Sequence, residues 1–332
     1  MQNAWIASAL SVLFALPVYL IYARINTLYP GNSIFFTAKK ILGGFWGSIF
    51  ILLFSLYAFY LGAMSMGIFA GFNQVVSMPE TSRMLTFIIF GGVVIYILKK
   101  GIGTLGSFVN IAAVTIIFLI ILINILSVNQ WQPYYLLPVF QVKPSTFFGD
   151  VFLTGVFPLG EAVILCTLFG FTEKSVKKPL LWGLIIGGFL LVLEILRSVA
   201  VLGPGTISLL YYPSYTATGV INIMDFFSRV EVTISVSFYV AQIVKVCICT
   251  YGVSSGIGSL LNCPSYKTLV LPITGCMIAL ALILFGNTAD CYDFLKSYKF
   301  YALFFQVALP LVLWIFAEFS HLRDKRLASP FV

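Results

Sequence analysis

The sequence predicts an all-α polytopic membrane protein, and three observations carry that prediction. Of 332 residues, 60% are hydrophobic and 9% charged, giving a mean hydropathy of +1.04, whereas a soluble domain holds about 25% charged residues. Nine apolar runs recur along the chain, all but one near or above the ~17 residues needed to cross a bilayer. The cations gather in alternate connections between those runs, as in a chain threaded back and forth through a membrane.

The first run, residues 4–23, is about 20 residues long and lacks a basic segment before it, so it reads as a span rather than a cleaved signal. The second, 45–72, carries Tyr57, Tyr60 and Met64 at i, i+3, i+7 spacing, which puts them on one helical face, either as packing or as a binding wall. The third, 84–98, is short and contains Gly91-Gly92, so it is either thin or partly interfacial. The fourth is 105–127. The fifth, 147–171, is broken by Phe157-Pro158-Leu159-Gly160 immediately before Glu161. Proline removes a backbone donor and glycine loosens the chain, so backbone groups there leave the helical ladder. The sixth, 180–202, holds Glu194 and Arg197 three residues apart, close enough to pair. The seventh, 226–251, begins with Asp225 and Arg229 spaced to pair and with Glu231 facing elsewhere. Lys245 lies roughly 30 Å further down that helix at 1.5 Å per residue, and is expected to snorkel to the far membrane face. The eighth and ninth runs are 268–286 and 300–319. The domain reading is a transmembrane domain over 1–322 and a basic cytoplasmic tail over 323–332.

Twelve cations, Lys39, Lys40, Lys99, Lys100 and Lys267 among them, fall in one set of loops, and four (Arg83, Lys143, Lys296, Lys299) in the other. The positive-inside rule then puts the N-terminus outside and the C-terminus in the cytoplasm. Six cysteines lie mostly within apolar segments with no metal or redox spacing, and the single histidine, His321, sits in the terminal basic cluster. That composition leaves no His-based metal site and no Ser-His-Asp triad. An enzyme, a cofactor and nucleic acid as a partner are therefore not expected; membrane lipid is.

Acidic groups at membrane depth mark functional sites by default. Glu161 beside freed backbone reads as a ligand- or proton-responsive group able to hold a small zwitterion, as at the discontinuous helices of secondary transporters. The alternative is a structural carboxyl capping freed amides. Arg229 either meets an anionic ligand group from the outer side or anchors at the interface. The ligand-binding set expected is Gly155, Pro158, Gly160, Glu161, Tyr57, Tyr60, Met64, Arg229 and Glu231.

Several segments, in order along essentially the whole chain, resemble the spore germination permeases, the B subunits of nutrient-germinant receptors. They are Leu28-Tyr29-Pro30-Gly31-Asn32-Ser33 with Ile41-Leu42-Gly43-Gly44-Phe45-Trp46-Gly47, the Phe157–Glu161 break, the Tyr211–Thr218 loop, and Asp225-Phe226-Phe227-Ser228-Arg229-Val230-Glu231. The resemblance implies the fold of the amino acid/polyamine/organocation transporters, a five-plus-five inverted-repeat bundle of ten spans. On that pattern Asn3-Ala4-Trp5-Ile6 is similar to the start of the family's second span, so the first helix is lacking and nine spans are visible. A start codon placed late and a truncated paralogue are the two readings of that difference. The resemblance also implies the spore inner membrane, partner A and C receptor subunits, a small germinant such as an amino acid, and a position beside the ligand for the helix bearing Tyr57. Two functions follow: a receptor subunit that senses a nutrient in a transporter-like pocket, or a proton- or sodium-coupled amino acid or polyamine permease.

Overall fold

The computed structural model describes residues 2–139, 143–221 and 230–328, and every regular element among them is helical. The membrane-length passes are α1 (Ala4–Leu28), α2 (Ile34–Phe72), α3 (Arg83–Lys100), α4 (Ile102–Ser127), α5 (Pro144–Val156) continued by a 3-10 segment (Leu159–Phe171), and α6 (Lys177–Ile207). After a short α7 (Pro213–Gly219) come α8 (Glu231–Leu260), α9 (Lys267–Leu284) and α10 (Thr288–Leu303), the last joined through a π turn (Phe304–Ala308) to α11 (Leu309–Ala328). Eight of these stretches are long and apolar enough to cross a membrane. The remaining expected span, the third, is α3, a full 18-residue helix, but Arg83, Lys99 and Lys100 lie within it.

Local chemistry sets several boundaries. Ser33 caps α2 by accepting from the Phe36 amide at 3.2 Å, and the helix turns at Gly43, whose φ of +82° suits glycine. The span expected from residue 45 is thus the part of α2 beyond that turn. Ser82 caps α3 in the same way through the Leu85 amide at 3.3 Å. Asn287 and Asp290 form a reciprocal capping box at the start of α10. The α8 helix runs to Leu260, nine residues past the expected end, and α11 carries the chain helically into the basic tail as far as Ala328.

Side-chain contacts fix which helix ends lie together. At one end Arg24 pairs with Glu318 at 2.6 Å, Lys39 Nζ donates to the Ser259 carbonyl at 2.7 Å, and the Tyr266 hydroxyl to that of Leu98 at 3.4 Å. At the other, Gln2 donates to the Leu137 carbonyl at 2.9 Å and Arg83 to that of Phe285. Successive passes therefore alternate in direction. The α2 helix is central and packs chiefly on α8, while α1 packs on α5 and α6, and α3 on α9. Close crossings use small residues: Gly62 faces Met277 and Cys249, and Gly67 faces the Phe285 ring. Large apolar side chains such as Phe45, Trp46, Ile111, Phe118, Trp182 and Phe189 point outward, as a hydrocarbon surround requires.

Candidate functional site

The fifth pass is interrupted where the sequence places the break. The α5 helix ends at Val156, Phe157 is extended, the Phe157–Pro158 peptide is cis, and the 3-10 segment begins at Leu159. An interruption at membrane depth strands backbone carbonyls that water cannot reach, so protein groups must satisfy them. Here they do. Gln306 Nε2 donates to the Val156 carbonyl at 3.0 Å, and the Tyr19 hydroxyl donates to the Leu159 carbonyl at 3.0 Å. Gln306 belongs to the π turn between α10 and α11, a second irregular segment, whose own backbone carbonyl accepts from the Tyr22 hydroxyl at 2.5 Å. Two irregular segments thus face one another, stitched by polar side chains from α1.

Glu161 lies in the first turn of the 3-10 segment and is 5% exposed. Its Oε2 accepts from Lys245 Nζ at 2.6 Å, and its Oε1 accepts from the Tyr298 hydroxyl at 3.3 Å. Tyr298 and Tyr57 share a hydroxyl–hydroxyl bond of 2.9 Å, and Gln306 Nε2 donates to Tyr57 at 2.8 Å. The result is one chain of polar groups, Lys245–Glu161–Tyr298–Tyr57–Gln306, buried except at the partly exposed Lys245 and drawn from α8, the 3-10 segment, α10, α2 and the π turn. Phe157 adds its ring face 5.2 Å from the Lys245 ammonium. The two formal charges cancel, which is how a low-dielectric interior tolerates them. Beside this chain lies a cavity of about 310 Å³, walled mainly by apolar side chains including Phe14, Tyr19, Phe152 and Val156, with Gly155, Gly160 and Gln306 at the break.

Lys245 corrects the sequence reading. It pairs with Glu161 at 2.6 Å instead of snorkelling. The error was one of depth: α8 runs from Glu231 to Leu260, so Lys245 is at its midpoint and not close to an end.

The structure gathers only part of the expected ligand set. Glu161, Pro158, Gly160 and Gly155 meet at the break, and Tyr57 reaches it from α2. Gly160 lets the Gln306 side-chain amide approach closely: a Cβ there would run into that amide and displace it. Tyr60 instead packs on Phe294 and Tyr301, with ring centroids 5.0 and 6.0 Å away, and Met64 is fully buried in the core. Glu231 starts α8, about 21 Å from Lys245 at 1.5 Å per residue, and does not reach the break. Arg229 and Asp225, which the sequence spaces to pair, lie outside the described residues. Tyr19, Tyr22, Tyr298 and Gln306 were not singled out from sequence. A lone glutamine in the ninth apolar run was the available signal for Gln306; Tyr298 fell just ahead of that run's expected start.

The expected Glu194–Arg197 pair forms at 2.7 Å in a separate cluster. Arg197 is fully buried and also donates to Thr218 Oγ1 at 2.6 Å and Ser214 Oγ at 2.7 Å, while Asn124 donates to Glu194 at 3.1 Å. These bonds tie α6 to α7 and α4. Among the described residues no group of three or more His, Cys, Asp or Glu side chains could hold a metal ion.

Comparison with known proteins adds two findings. A family model described as "Spore germination protein" matches residues 1–289. A protein of Bacillus subtilis (strain 168) named "Putative spore germination protein YfkT" is 25% identical over 319 residues, covering 95% of this chain and 87% of its own.

Proposed function

This chain belongs to the spore germination permease family and is an integral membrane protein; on that premise we propose that it is the membrane subunit of a germinant receptor, sensing a small zwitterion such as an amino acid. The observation that carries this reading is the largely buried Lys245–Glu161 pair, with Lys245 still partly exposed, at the meeting of two irregular helical segments. An amino acid presents an ammonium and a carboxylate a few ångströms apart. Inserted between the pair, it would give Glu161 a cation and Lys245 an anion, so neither buried charge is stranded. Its side chain would occupy the adjoining apolar cavity, whose wall meets the break at Gly155, Gly160 and Gln306.

Parting the pair moves α8 relative to the break, and that movement supplies the signal. A ligand shifts a conformational equilibrium only by its difference in affinity for the two states, and a coupling of about 1–3 kcal/mol is ordinary for such devices. The signal would pass to A and C subunits in the spore inner membrane, with the end bearing Lys39, Lys100 and Lys267 facing the cytoplasm.

The test pairs two assays on spores carrying the wild-type chain or Glu161→Gln. Nutrient-triggered germination should fall sharply in Glu161→Gln at unchanged protein abundance, and the wild type should show no concentrative uptake of the labelled nutrient. Accumulation of label against its gradient, abolished by Glu161→Gln, would instead make the chain a coupled permease.

A further inference from the structure

The cavity beside the break has no charged residue in its wall. Its sides are Ala15 and Val18 of α1, Val151 and Phe152 of α5, Leu303 of α10 and Val307 of the π turn. Only Tyr19 and Gln306 bring polar side-chain groups to it, and the Tyr19 hydroxyl is spent on the Leu159 carbonyl at 3.0 Å. Its volume of about 310 Å³ is on the order of ten water volumes, ample for a side chain the size of leucine's or phenylalanine's. Cavities with such walls stay dry and take up apolar groups.

Gln306 is buried, and its two amide atoms are used unequally. Nε2 donates to the Val156 carbonyl at 3.0 Å, to the Tyr57 hydroxyl at 2.8 Å and to the Tyr298 hydroxyl at 3.4 Å. Because a carbonyl can only accept, the Val156 bond fixes which way the amide faces. Oε1 is therefore turned to Gly160, where it takes the space a Cβ would need, and it accepts from no donor among the described residues. Gly160 and Gln306 both line the cavity. A buried acceptor left without a donor is costly, and native structures rarely keep one without a use for it. This one stands close to Glu161: the Tyr298 hydroxyl that meets Gln306 Nε2 also donates to Glu161 Oε1 at 3.3 Å.

We infer that the ligand is an amino acid with an uncharged, apolar side chain, that this side chain fills the cavity, and that Gln306 Oε1 accepts a hydrogen bond from the ligand's ammonium. The inference rests on the receptor reading, which sets the ammonium against Glu161; an ammonium carries three donors and can serve both acceptors. A lysine or aspartate side chain would meet a wall with no counter-charge, and the cost of its desolvation excludes it. A lipid acyl chain is the competing occupant, since Phe14 and Phe148 of the lining are exposed on the outside of the bundle. An acyl chain has no N–H to give and would leave Gln306 Oε1 unpaired.

The test is a germination dose–response in spores carrying the chain, with protein abundance measured alongside, for alanine, valine, leucine, phenylalanine, aspartate, lysine and N,N-dimethylleucine. The half-maximal concentrations of aspartate and lysine should lie about 100-fold or more above that of leucine. Ala15→Leu fills the cavity from α1 without touching the polar chain, and should raise the leucine and phenylalanine midpoints roughly tenfold more than the alanine midpoint. N,N-dimethylleucine keeps one N–H, enough for Glu161 alone, so wild type should need about tenfold more of it than of leucine, and Gln306→Met should close most of that gap. Charged amino acids as potent as leucine overturn the inference, as does a gap that Gln306→Met leaves intact. A ranking of alanine, leucine and phenylalanine that Ala15→Leu leaves unchanged also overturns it, and gives the cavity to lipid. The wild-type panel and Ala15→Leu decide the matter even where Gln306→Met fails to accumulate. The receptor reading fails by a separate result, that no amino acid response is lost in Glu161→Gln.

Discussion

At the scale of single residues, the arrangement around the break is set by the cost of burying unpaired polar groups. A lysine at the midpoint of an apolar helix is tolerated because Glu161 meets it at 2.6 Å. Removing one member of such a pair costs about 3–5 kcal/mol, because the other is left charged and alone. Gln306 has a comparable duty, bonding Tyr57 at 2.8 Å and the freed Val156 carbonyl at 3.0 Å through one amide nitrogen. Gly160→Ala should displace that amide and lower stability by about 1–3 kcal/mol, the usual cost of overpacking; a thermal melt of the purified variant checks this, and a wild-type midpoint would contradict it. Glu161 and the break were legible in sequence because a carboxylate and a Pro-x-Gly interruption in an apolar run have few structural explanations. Lys245 was visible as a charge but misplaced, since its depth depends on where α8 begins and ends, and apolar composition fixes that only to within several residues. Tyr57 was found by helical spacing, which could not distinguish it from Tyr60 and Met64; what separates them is the position of α10, a long-range feature.

At the scale of elements, helix identity was plain in the sequence and helix shape was not. Apolar runs locate the passes, but they do not reveal that α2 has an 11-residue extension ahead of residue 45, turned at Gly43. The φ of +82° and ψ of 178° at Gly43 belong to a region essentially reserved for glycine. Gly43→Ala should therefore cost about 1–3 kcal/mol while leaving the nutrient response of the surviving protein unchanged, because nothing at the break touches it. A shifted nutrient response at normal abundance would show instead that the turn takes part in signalling. The π turn at Phe304–Ala308 was not anticipated, although Pro310 just beyond it has no N–H to offer the Gln306 carbonyl four residues back. Its partner at Phe157–Pro158 was announced by the proline. Both breaks thus have a proline beside them, and where Pro310 cannot donate, the Gln306 carbonyl accepts from the Tyr22 hydroxyl instead.

At the scale of the whole molecule, alternating passes put Lys39, Lys100 and Lys267 at one end and Arg83 at the other. In a cysteine-free variant, Lys174→Cys and Glu80→Cys should react with an impermeant maleimide from opposite sides of the membrane. Labelling of both from one side would contradict the alternation. The same architecture makes the pair on α8 and the 3-10 segment a joint between two parts of the bundle, and the central claim is that a nutrient acts by parting it. The most direct measurement is a double-mutant cycle of nutrient dose–response in spores carrying Glu161→Gln, Lys245→Met or both, with protein abundance measured alongside. Each single variant should shift the response by about 100-fold or more, since losing one charged contact to the ligand costs about 3 kcal/mol of binding, and the double variant should lose less than the sum of the two because both residues act on the one bound zwitterion. Wild-type sensitivity in Glu161→Gln at normal abundance, or strictly additive losses in the double variant, would contradict the account.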